Sequence, residues 1–365
     1  MVRILGKEMI LWVLDSLDLQ AGDKVYIVYN PAFIDEKLFE QLVLTKGHHD
    51  VSFVHLAGST RGAVETVFLG LQGVPEEERG RPTMCFDGDG FYTIGAIERY
   101  RAIAPERSAV FSYVDTDPRP LYSYVTIEGP KLGLNTIVDI KEKMKISDYA
   151  NTGTYCFRSG ILLETYCKSM IASSEAHLAQ EDAGKFFTSG VIANMIADGE
   201  AFTMLSLNPG QFNSLGTPDL IKKFVSSWQS STERKRFCFD LENTLIRVPT
   251  ENDYANATPI LENVSFCQRL YSQGHTIILQ TSRVSADGNV EILQMLKHLS
   301  IPFHEIFFRK PRADFYIDDK AVFSGFDLAK ELGFYDLSEM TKDVAPKPAQ
   351  TVTDATISTE AALVQ

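Results

Sequence analysis

The sequence predicts an α/β protein made of two consecutive domains, each a sheet covered by helices. Three observations predict it. Apolar β-type runs alternate with helical patterns through the first two-thirds of the chain. A polar, small-residue stretch, Gln229-Ser-Ser-Thr-Glu-Arg-Lys235, then interrupts the alternation, and a second alternation of the same kind begins at Arg236. The length of 365 residues agrees, because a domain commonly takes roughly 100–200 residues. The expected division is residues 1–228, a linker at 229–235, a second domain at 236–342 and a tail at 343–365.

Taken in order, Ile10, Val13, Leu14 and Leu17 mark one face of an amphipathic helix near the start. Strands are expected at Lys24–Tyr29, Val51–Leu56, Thr83–Phe86, Ser108–Tyr113, Tyr122–Ile127, Thr152–Phe157 and Phe202–Leu207. Helices such as Arg61–Leu71 and Thr93–Ile103 fit between them, so the sheet is expected to be mostly parallel. In the second domain Arg236–Leu241, His275–Gln280, Glu305–Phe308 and Phe315–Ile317 read as strands, and Ile260–Gln273 and Val290–Leu299 as helices. The tail after Asp343 is rich in Pro, Ala and Thr without a period and reads as disordered.

Composition narrows the function. With 44% apolar and 23% charged residues, the chain can bury its cores without a disulfide or metal staple. Cys85, Cys156, Cys167, Cys238 and Cys267 show no zinc-type spacing and read as reduced thiols of a cytoplasmic protein. A net charge of −13 argues against nucleic acid or an anionic membrane surface as partner, while leaving room for a small anionic substrate met by local Lys and Arg. No apolar run approaches the roughly 20 residues of a membrane span, and Asp15 and Asp18 break the run that a signal peptide would need.

The second domain carries a constellation of strand ends. Phe237-Cys-Phe-Asp240-Leu-Glu242-Asn-Thr244 is an apolar strand ending in acids, and acids at i and i+2 share one side of an extended chain. His275–Gln280 runs into Thr281-Ser282-Arg283, Lys310 precedes Pro311, and Phe315–Ile317 runs into Asp318-Asp319-Lys320. Groups past the carboxyl ends of parallel strands sit where such sheets bind ligands. The set suits phosphoryl transfer to a carboxylate. Asp240 would attack phosphorus, Glu242 would protonate the leaving group and later activate water, and Thr281 and Lys310 would bind phosphoryl oxygens. Mg2+ would be held by Asp240, by Asp318 or Asp319, and by a backbone carbonyl near Glu242.

Asp-Leu-Glu-Asn-Thr-Leu from Asp240, Gln-Thr-Ser-Arg to Arg283, Arg-Lys-Pro to Pro311 and Tyr-Ile-Asp-Asp-Lys-Ala from Tyr316 resemble the four motifs of the haloacid dehalogenase (HAD) superfamily. The resemblance spans about a hundred residues and implies a Rossmannoid parallel sheet and a Mg2+-dependent phosphatase. Glu242 departs from the family's usual Asp, placing its carboxyl one methylene further out.

The first domain resembles the sugar-phosphate nucleotidyltransferases of capsule and lipopolysaccharide synthesis, which have a Rossmann-like mixed sheet of GT-A type. The resemblance rests on Gly58-Ser-Thr-Arg-Gly62-Ala-Val-Glu-Thr66, Phe86-Asp87-Gly-Asp89-Gly, Ile140-Lys-Glu142-Lys143, Asn151-Thr-Gly153 and Leu215-Gly216-Thr-Pro218. It implies a base-binding turn at Gly62, a Mg2+-holding acidic turn at Asp87 and Asp89, a sugar-phosphate segment at Glu142 and Lys143, and a sugar-binding turn at Asn151 and Gly153. Two departures stand out. Ser214 occupies a place where many members put a metal-binding Asp, and Ile4-Leu-Gly6-Lys7 resembles residues that follow the family's opening strand and Gly-rich, arginine-bearing loop. Without that cradle for a triphosphate, nucleotide transfer is not expected of the sequence as it stands. The opening strand would be central in the sheet, so its loss predicts two unpaired edges. A misassigned start, another element in the gap and a degenerate domain all stay open.

The function expected is a HAD-type phosphohydrolase acting on a small phosphorylated sugar or polyol, linked to a degenerate nucleotidyltransferase domain in nucleotide-sugar or polysaccharide biosynthesis. Two alternatives accompany it: a non-catalytic protein that binds a sugar phosphate or nucleotide sugar, and a full bifunctional nucleotidyltransferase and phosphatase.

Overall fold

The computed structural model describes residues 2–45, 51–103, 105–131, 134–175, 186–229, 234–250, 253–283 and 288–335. Residues 230–233 of the expected linker, 336–342 of the expected second domain and the tail at 343–365 lie outside the described residues.

The chain opens with a hairpin, β1 (Arg3–Ile4) and β2 (Lys7–Glu8), that turns through Leu5 and Gly6 at φ 52° and 80°. It runs straight into α1 (Met9–Asp15), followed by β3 (Val25–Tyr29), α2 (Glu36–Thr45) and β4 (Val51–His55). β3 and β4 pair in parallel as a two-stranded sheet. Leu11 and Leu14 of α1 and Phe39 and Val43 of α2 pack against one face of it. Next, α3 (Ala63–Gln72) lies on the strands so closely that a Cβ on Gly70 would meet Val28 Cγ2 at 2.7 Å.

A larger sheet follows. Its strands are β5 (Thr83–Cys85), β7 (Ser108–Val114), β8 (Ser123–Lys131), β9 (Leu134–Glu142), β10 (Tyr149–Phe157) and β11 (Phe202–Leu207), in the order β5-β10-β7-β11-β9-β8. A small antiparallel pair, β6 (Gly90–Tyr92) with β12 (Phe212–Ser214), stands beside it. The helices of this part are α4 (Ala96–Arg101), α5 (Gly160–Glu175), α6 (Thr188–Ala197) and α7 (Pro218–Gln229). Val64 and Leu71 of α3, Leu163 and Cys167 of α5, and Val191, Ile192 and Met195 of α6 fill one face. Tyr92, Ala96 and Tyr100 fill the other.

The expectation of a mostly parallel sheet is corrected here. Among the described residues β7 with β11 is the one parallel pairing in this sheet, and its other ladders are antiparallel. The cause is β9, which the sequence pattern does not announce. It folds back on β8 as a hairpin, burying Ile137 and Ile140, and so reverses the chain without a helical crossover. Among the described residues β3 pairs with β4 alone and β5 with β10 alone.

The rest of the chain builds β13 (Arg236–Asp240), β14 (Ile246–Arg247), β15 (Thr258–Pro259), α8 (Leu261–Ser272), β16 (Thr276–Thr281), α9 (Gly288–His298), β17 (Glu305–Phe308) and α10 (Leu328–Leu332). β13, β16 and β17 form a parallel sheet in that order. The strand expected at Phe315–Ile317 does not form. Phe315 is 85% exposed and Ile317 100%. Local contacts take the place of a ladder: the Tyr316 hydroxyl donates to the Pro311 carbonyl, the Lys310 ammonium lies 4.1 Å from the Tyr316 ring centroid, and the Lys320 N–H donates to Asp318 Oδ1 at 2.7 Å.

One core joins the two halves. Ile4, Leu5, Phe91, Leu215 and Phe224 pack with Phe239, Leu241, Ile277 and Phe334. Trp12 sits 5.3 Å from both Phe91 and Phe224. The opening hairpin is clamped to the end of α10, where the Leu5 N–H donates to the Gly333 carbonyl at 3.0 Å. Among the described residues no helix is long and apolar enough to cross a membrane.

Candidate functional site

Two clusters of carboxylates stand at strand ends. In the first half, β5 runs out at Cys85 and the chain turns through Asp87 and Asp89 into β6. β9 ends at Glu142, and β10 passes Gly153 at φ 83°. A Cβ at Gly153 would stand 2.0 Å from Asp87 Oδ2, and one at Gly216 would stand 2.2 Å from Asp89 Oδ2. At Gly153 the left-handed backbone and the packed Asp87 side chain together favour glycine, while a side chain at Gly216 would make the Asp89 carboxylate shift. The Leu215 N–H donates to the Asp89 carbonyl at 2.6 Å, which ties the late segment to the acidic turn.

Asp87 is among the residues that line the cavity between β3 and β5, and it is exposed to solvent. Burial there, and then the charges of Asp89 and Glu142, push its carboxyl up to about 7 from the ordinary 3.8. Asp89 is also raised, mainly by burial. Glu142 Oε2 accepts from the Ser189 hydroxyl at 2.8 Å.

The other sequence-marked residues take different roles. Gly62, at φ 149°, leaves room for protein, because a Cβ there would lie 2.7 Å from the Phe186 carbonyl oxygen. Lys143 sits at φ 49° with its ammonium 5.4 Å from the Phe187 ring centroid. Asn151 is buried with its amide engaged in the sheet: Oδ1 accepts from the Ser112 hydroxyl and Nδ2 donates to the Ser123 hydroxyl, both at 2.8 Å. Ser214 pairs with Gly90 in the β12–β6 ladder.

In the second half Asp240 ends β13, and Lys310 Nζ lies 3.0 Å from its Oδ2. Asp240 Oδ1 is buried with no hydrogen-bond partner. Glu242 is held on two sides: the Thr281 hydroxyl donates to Oε1 and Oε2 at 2.8 and 3.1 Å, and the Tyr254 hydroxyl donates to Oε1. Burial, and then the bond to Glu242, lift the Tyr254 phenol well above its ordinary value, so it stays a donor. The Arg283 guanidinium lies 4.3 Å from the Tyr254 ring centroid, with Nη1 buried and unpartnered. The Lys310 N–H donates to the Thr281 carbonyl at 2.9 Å. Asn243, at φ 59°, turns the chain after Glu242.

The structure thus brings Asp240, Glu242, Thr281 and Lys310 to neighbouring strand ends. Asp318 and Asp319 lie in an exposed turn instead. Tyr254 and Ser189 carry no motif of their own and are found only through their contacts, whereas Arg283 and Gly216 lie inside quoted motifs without a role assigned to them. Among the described residues the group able to converge on one ion is Glu36, Glu40 and His55, a surface trio. Asp87, Asp89 and Glu142 do not converge so tightly.

Residues 1–194 match the family described as nucleotidyl transferase. No curated protein matches the chain. Among solved structures it is similar to the nucleoside-diphosphate-sugar pyrophosphorylase from Vibrio cholerae RC9, with 19% identity, a TM-score of 0.52, and 62% of this chain and 90% of that chain covered. It is also similar to the inositol-1-phosphate CTP transferase from T. maritima, at 15% identity, TM-score 0.47, and coverage of 63% and 87%. A further protein from Vibrio cholerae shares 26% identity over 29% of this chain and 94% of its own, at a TM-score of 0.25. The first of these likenesses is one of fold.

Proposed function

The chain belongs to the nucleotidyl transferase family, and we propose that its first half, residues 1–228, acts on a sugar phosphate and a nucleotide in nucleotide-sugar biosynthesis. The observation that carries this is the acidic turn itself: Asp87 and Asp89 lie against Gly153 and Gly216, Asp87 lines the cavity, and burial with the charges of Asp89 and Glu142 raises its carboxyl. Acids packed in this way favour a cation, and Asp87 and Asp89 would hold Mg2+, whose charge would offset that of the phosphates. The chain's own residues do the rest. Gly153 and Gly216 keep the space above the two carboxylates clear of side chains. Lys143 is exposed at the end of β9 and offers a cation to a sugar phosphate. Ser189 fixes Glu142 by a hydrogen bond. The free thiols Cys85, Cys156, Cys167, Cys238 and Cys267 go with a cytoplasmic setting.

The test is a panel of nucleoside triphosphates and sugar 1-phosphates with Mg2+, read by pyrophosphate release and, in parallel, by calorimetric binding of nucleotide sugars. Mg2+-dependent release that is lost on Asp89→Ala supports transfer. Binding without release would leave a nucleotide-sugar binding protein. Neither signal with any pair overturns the proposal.

A second reading belongs to residues 236–342, joined through the linker at 229–235, and one observation favours it: the partnerless buried Oδ1 of Asp240 beside Lys310. As a phosphohydrolase of HAD type, the chain would use Asp240 to attack the phosphorus of a small phosphorylated sugar or polyol. The P–O bond to the alcohol would break, Glu242 would give the alcohol its proton, and water would then cleave the aspartyl-phosphate. Lys310 would stabilise the phosphoryl oxygens. Of the cation ligands expected in this half, Asp240 alone has a buried oxygen without a hydrogen-bond partner, and Asp318 and Asp319 are exposed. Release of inorganic phosphate from a sugar-phosphate panel, measured against Asp240→Asn, tests this reading.

A further inference from the structure

Away from both carboxylate clusters, the end of the small β3–β4 sheet gathers a third set of polar groups. Tyr29 closes β3 and His55 closes β4, and the parallel register sets them side by side. α2 lies over the face that carries Tyr29 and Phe53, held by Phe39, whose ring stands 4.8 Å from that of Tyr29 and 6.1 Å from that of Phe53. Glu36 and Glu40 are about one helical turn apart on α2, so both reach the strand ends from one side.

The contacts there are close. His55 Nε2 lies 2.8 Å from Glu40 Oε1, and His55 Nδ1 lies 3.8 Å from Glu36 Oε1. The Tyr29 hydroxyl is 3.0 Å from Glu40 Oε1 and 3.1 Å from His55 Nε2. One donor atom from each of Glu36, Glu40 and His55 falls within 4.8 Å of the other two. Ligands of a tetrahedral ion at about 2.0 Å stand about 3.3 Å apart, and two flexible glutamates can close that difference. Hydrogen bonding alone serves the trio poorly. Two glutamates a turn apart repel each other. A neutral imidazole has a single N–H and can donate to one of them, and even an imidazolium leaves one negative charge in excess. A dication satisfies both acids and the bare ring nitrogen together.

We infer that Glu36, Glu40 and His55 form a binding site for a transition-metal dication of the zinc type, with Tyr29 orienting Glu40 from behind. The imidazole nitrogen sets the class, since Mg2+ and Ca2+ prefer oxygen ligands alone while imidazole with carboxylates suits Zn2+. Burial, and then the bond to Glu40 and the charges of Glu40 and Glu36, raise the Tyr29 phenol, so it keeps its proton and donates to the carboxylate, as groups behind metal ligands do. The side chains of Glu36 and His55 are 47% and 43% exposed, which gives the ion an entry path and room for water as a fourth ligand. The ion ties α2 to β4, fastening a sheet that has two strands among the described residues. None of these residues takes part in the phosphate chemistry proposed for either half, so the site stands even if both of those readings fail.

The experiment titrates zinc chloride by calorimetry into the full chain after treatment with a chelator. His55→Ala should remove one equivalent of bound zinc. Glu36→Gln and Glu40→Gln keep the shape and remove a charge, and Tyr29→Phe keeps the ring; each should weaken that equivalent about tenfold or more. Mg2+ in about hundredfold excess should not displace the zinc. With free zinc at about ten times its dissociation constant, amide exchange in α2 and at the end of β4 should slow about tenfold. Unchanged stoichiometry and affinity in His55→Ala and Glu40→Gln overturns the assignment. So does displacement by Mg2+, which would make the trio an ordinary acidic patch. Zinc binding that leaves exchange in α2 and β4 unaltered puts the ion elsewhere and overturns it equally. If His55→Ala does not fold, the two Gln variants decide alone.

Discussion

Asp87 and Asp240 both close a strand of an α/β sheet, yet the first faces other acids and the second faces a lysine. Burial, and then the charges of Asp89 and Glu142, raise the Asp87 carboxyl to about 7. Around Asp240 the Lys310 ammonium lies at 3.0 Å, and neighbouring Glu242 has two hydroxyl donors of its own. The difference teaches how to read carboxylates at strand ends. A cluster that does not neutralise itself asks for a cation from outside. A cluster that does can be complete without one.

The largest effect expected is at the un-neutralised site. Gly153→Ala would drive a Cβ to 2.0 Å from Asp87 Oδ2 at a backbone φ of 83°. Binding of a nucleotide sugar with Mg2+, measured by calorimetry, should disappear, and stability should fall by about 1–3 kcal/mol from the strained backbone. Retained binding would break the comparison, since it would place the ligand away from Asp87.

Asp240→Asn comes next. It removes the charge that faces Lys310, whose side chain is only 12% exposed while that of Asp240 is 32% exposed. The phosphate release proposed for this site should drop to background. Denaturant titration should show a loss of about 1–2 kcal/mol, below the cost of breaking a fully buried pair because solvent reaches Asp240. Adding Lys310→Met should recover the stability and not the turnover. If the double variant stays as unstable as the single one, the lysine is not what neutralises this site.

Much of this was legible in the sequence, and the exceptions have physical causes. Alternating apolar runs announced β3, β4, β7 and β11 within a residue or two, because burial on a sheet face imposes its period directly. The pattern failed at β9, where Leu134–Glu142 mixes Asn, Asp and Lys among its apolar residues. It also failed at Phe315–Ile317, where three apolar residues suggested a strand but local contacts of Tyr316 held the segment off the sheet. Strand-end position marked Asp240 and Lys310, and the resemblance to an acidic turn marked Asp87 and Asp89. Neither could mark Tyr254 or Ser189, which reach Glu242 and Glu142 across 12 and 47 residues of chain. Nor could either show that Asn151 spends its amide on Ser112 and Ser123.

A smaller effect separates the clusters by pH. Asp87 must lose its proton to bind a cation, so apparent cation affinity should rise about tenfold per pH unit below about 7 and level off above it. The stability of the empty chain should run the other way. The folded carboxyl keeps its proton to about 7 while the unfolded one loses it near 3.8, so this contribution is present at low pH and is lost as pH rises between those values. Asp87→Asn should flatten both profiles. A profile unchanged by Asp87→Asn would assign the titration to another group.

The smallest effect expected, and the one that sharpens the comparison most, is at Tyr254. Its hydroxyl and that of Thr281 both donate to Glu242, and this pairing serves the Glu242 carboxylate without a cation. Tyr254→Phe removes one donor and leaves the ring beneath Arg283. Because Thr281 still serves the carboxylate, stability should fall by only about 1 kcal/mol. The rate of phosphate release tells more. If Glu242 acts on the leaving group, the bond to Tyr254 restrains it, and loosening that bond should raise the rate about two- to fivefold. Glu242→Asp withdraws the carboxyl by one methylene from both hydroxyls, so it should cost more stability than Tyr254→Phe. A fall in rate for both variants would mean that the doubly bonded pose of Glu242 is its working pose, with Tyr254 and Thr281 as positioning residues. A rate indifferent to both would remove Glu242 from the chemistry, leaving Asp240 and Lys310 as the whole of the second site.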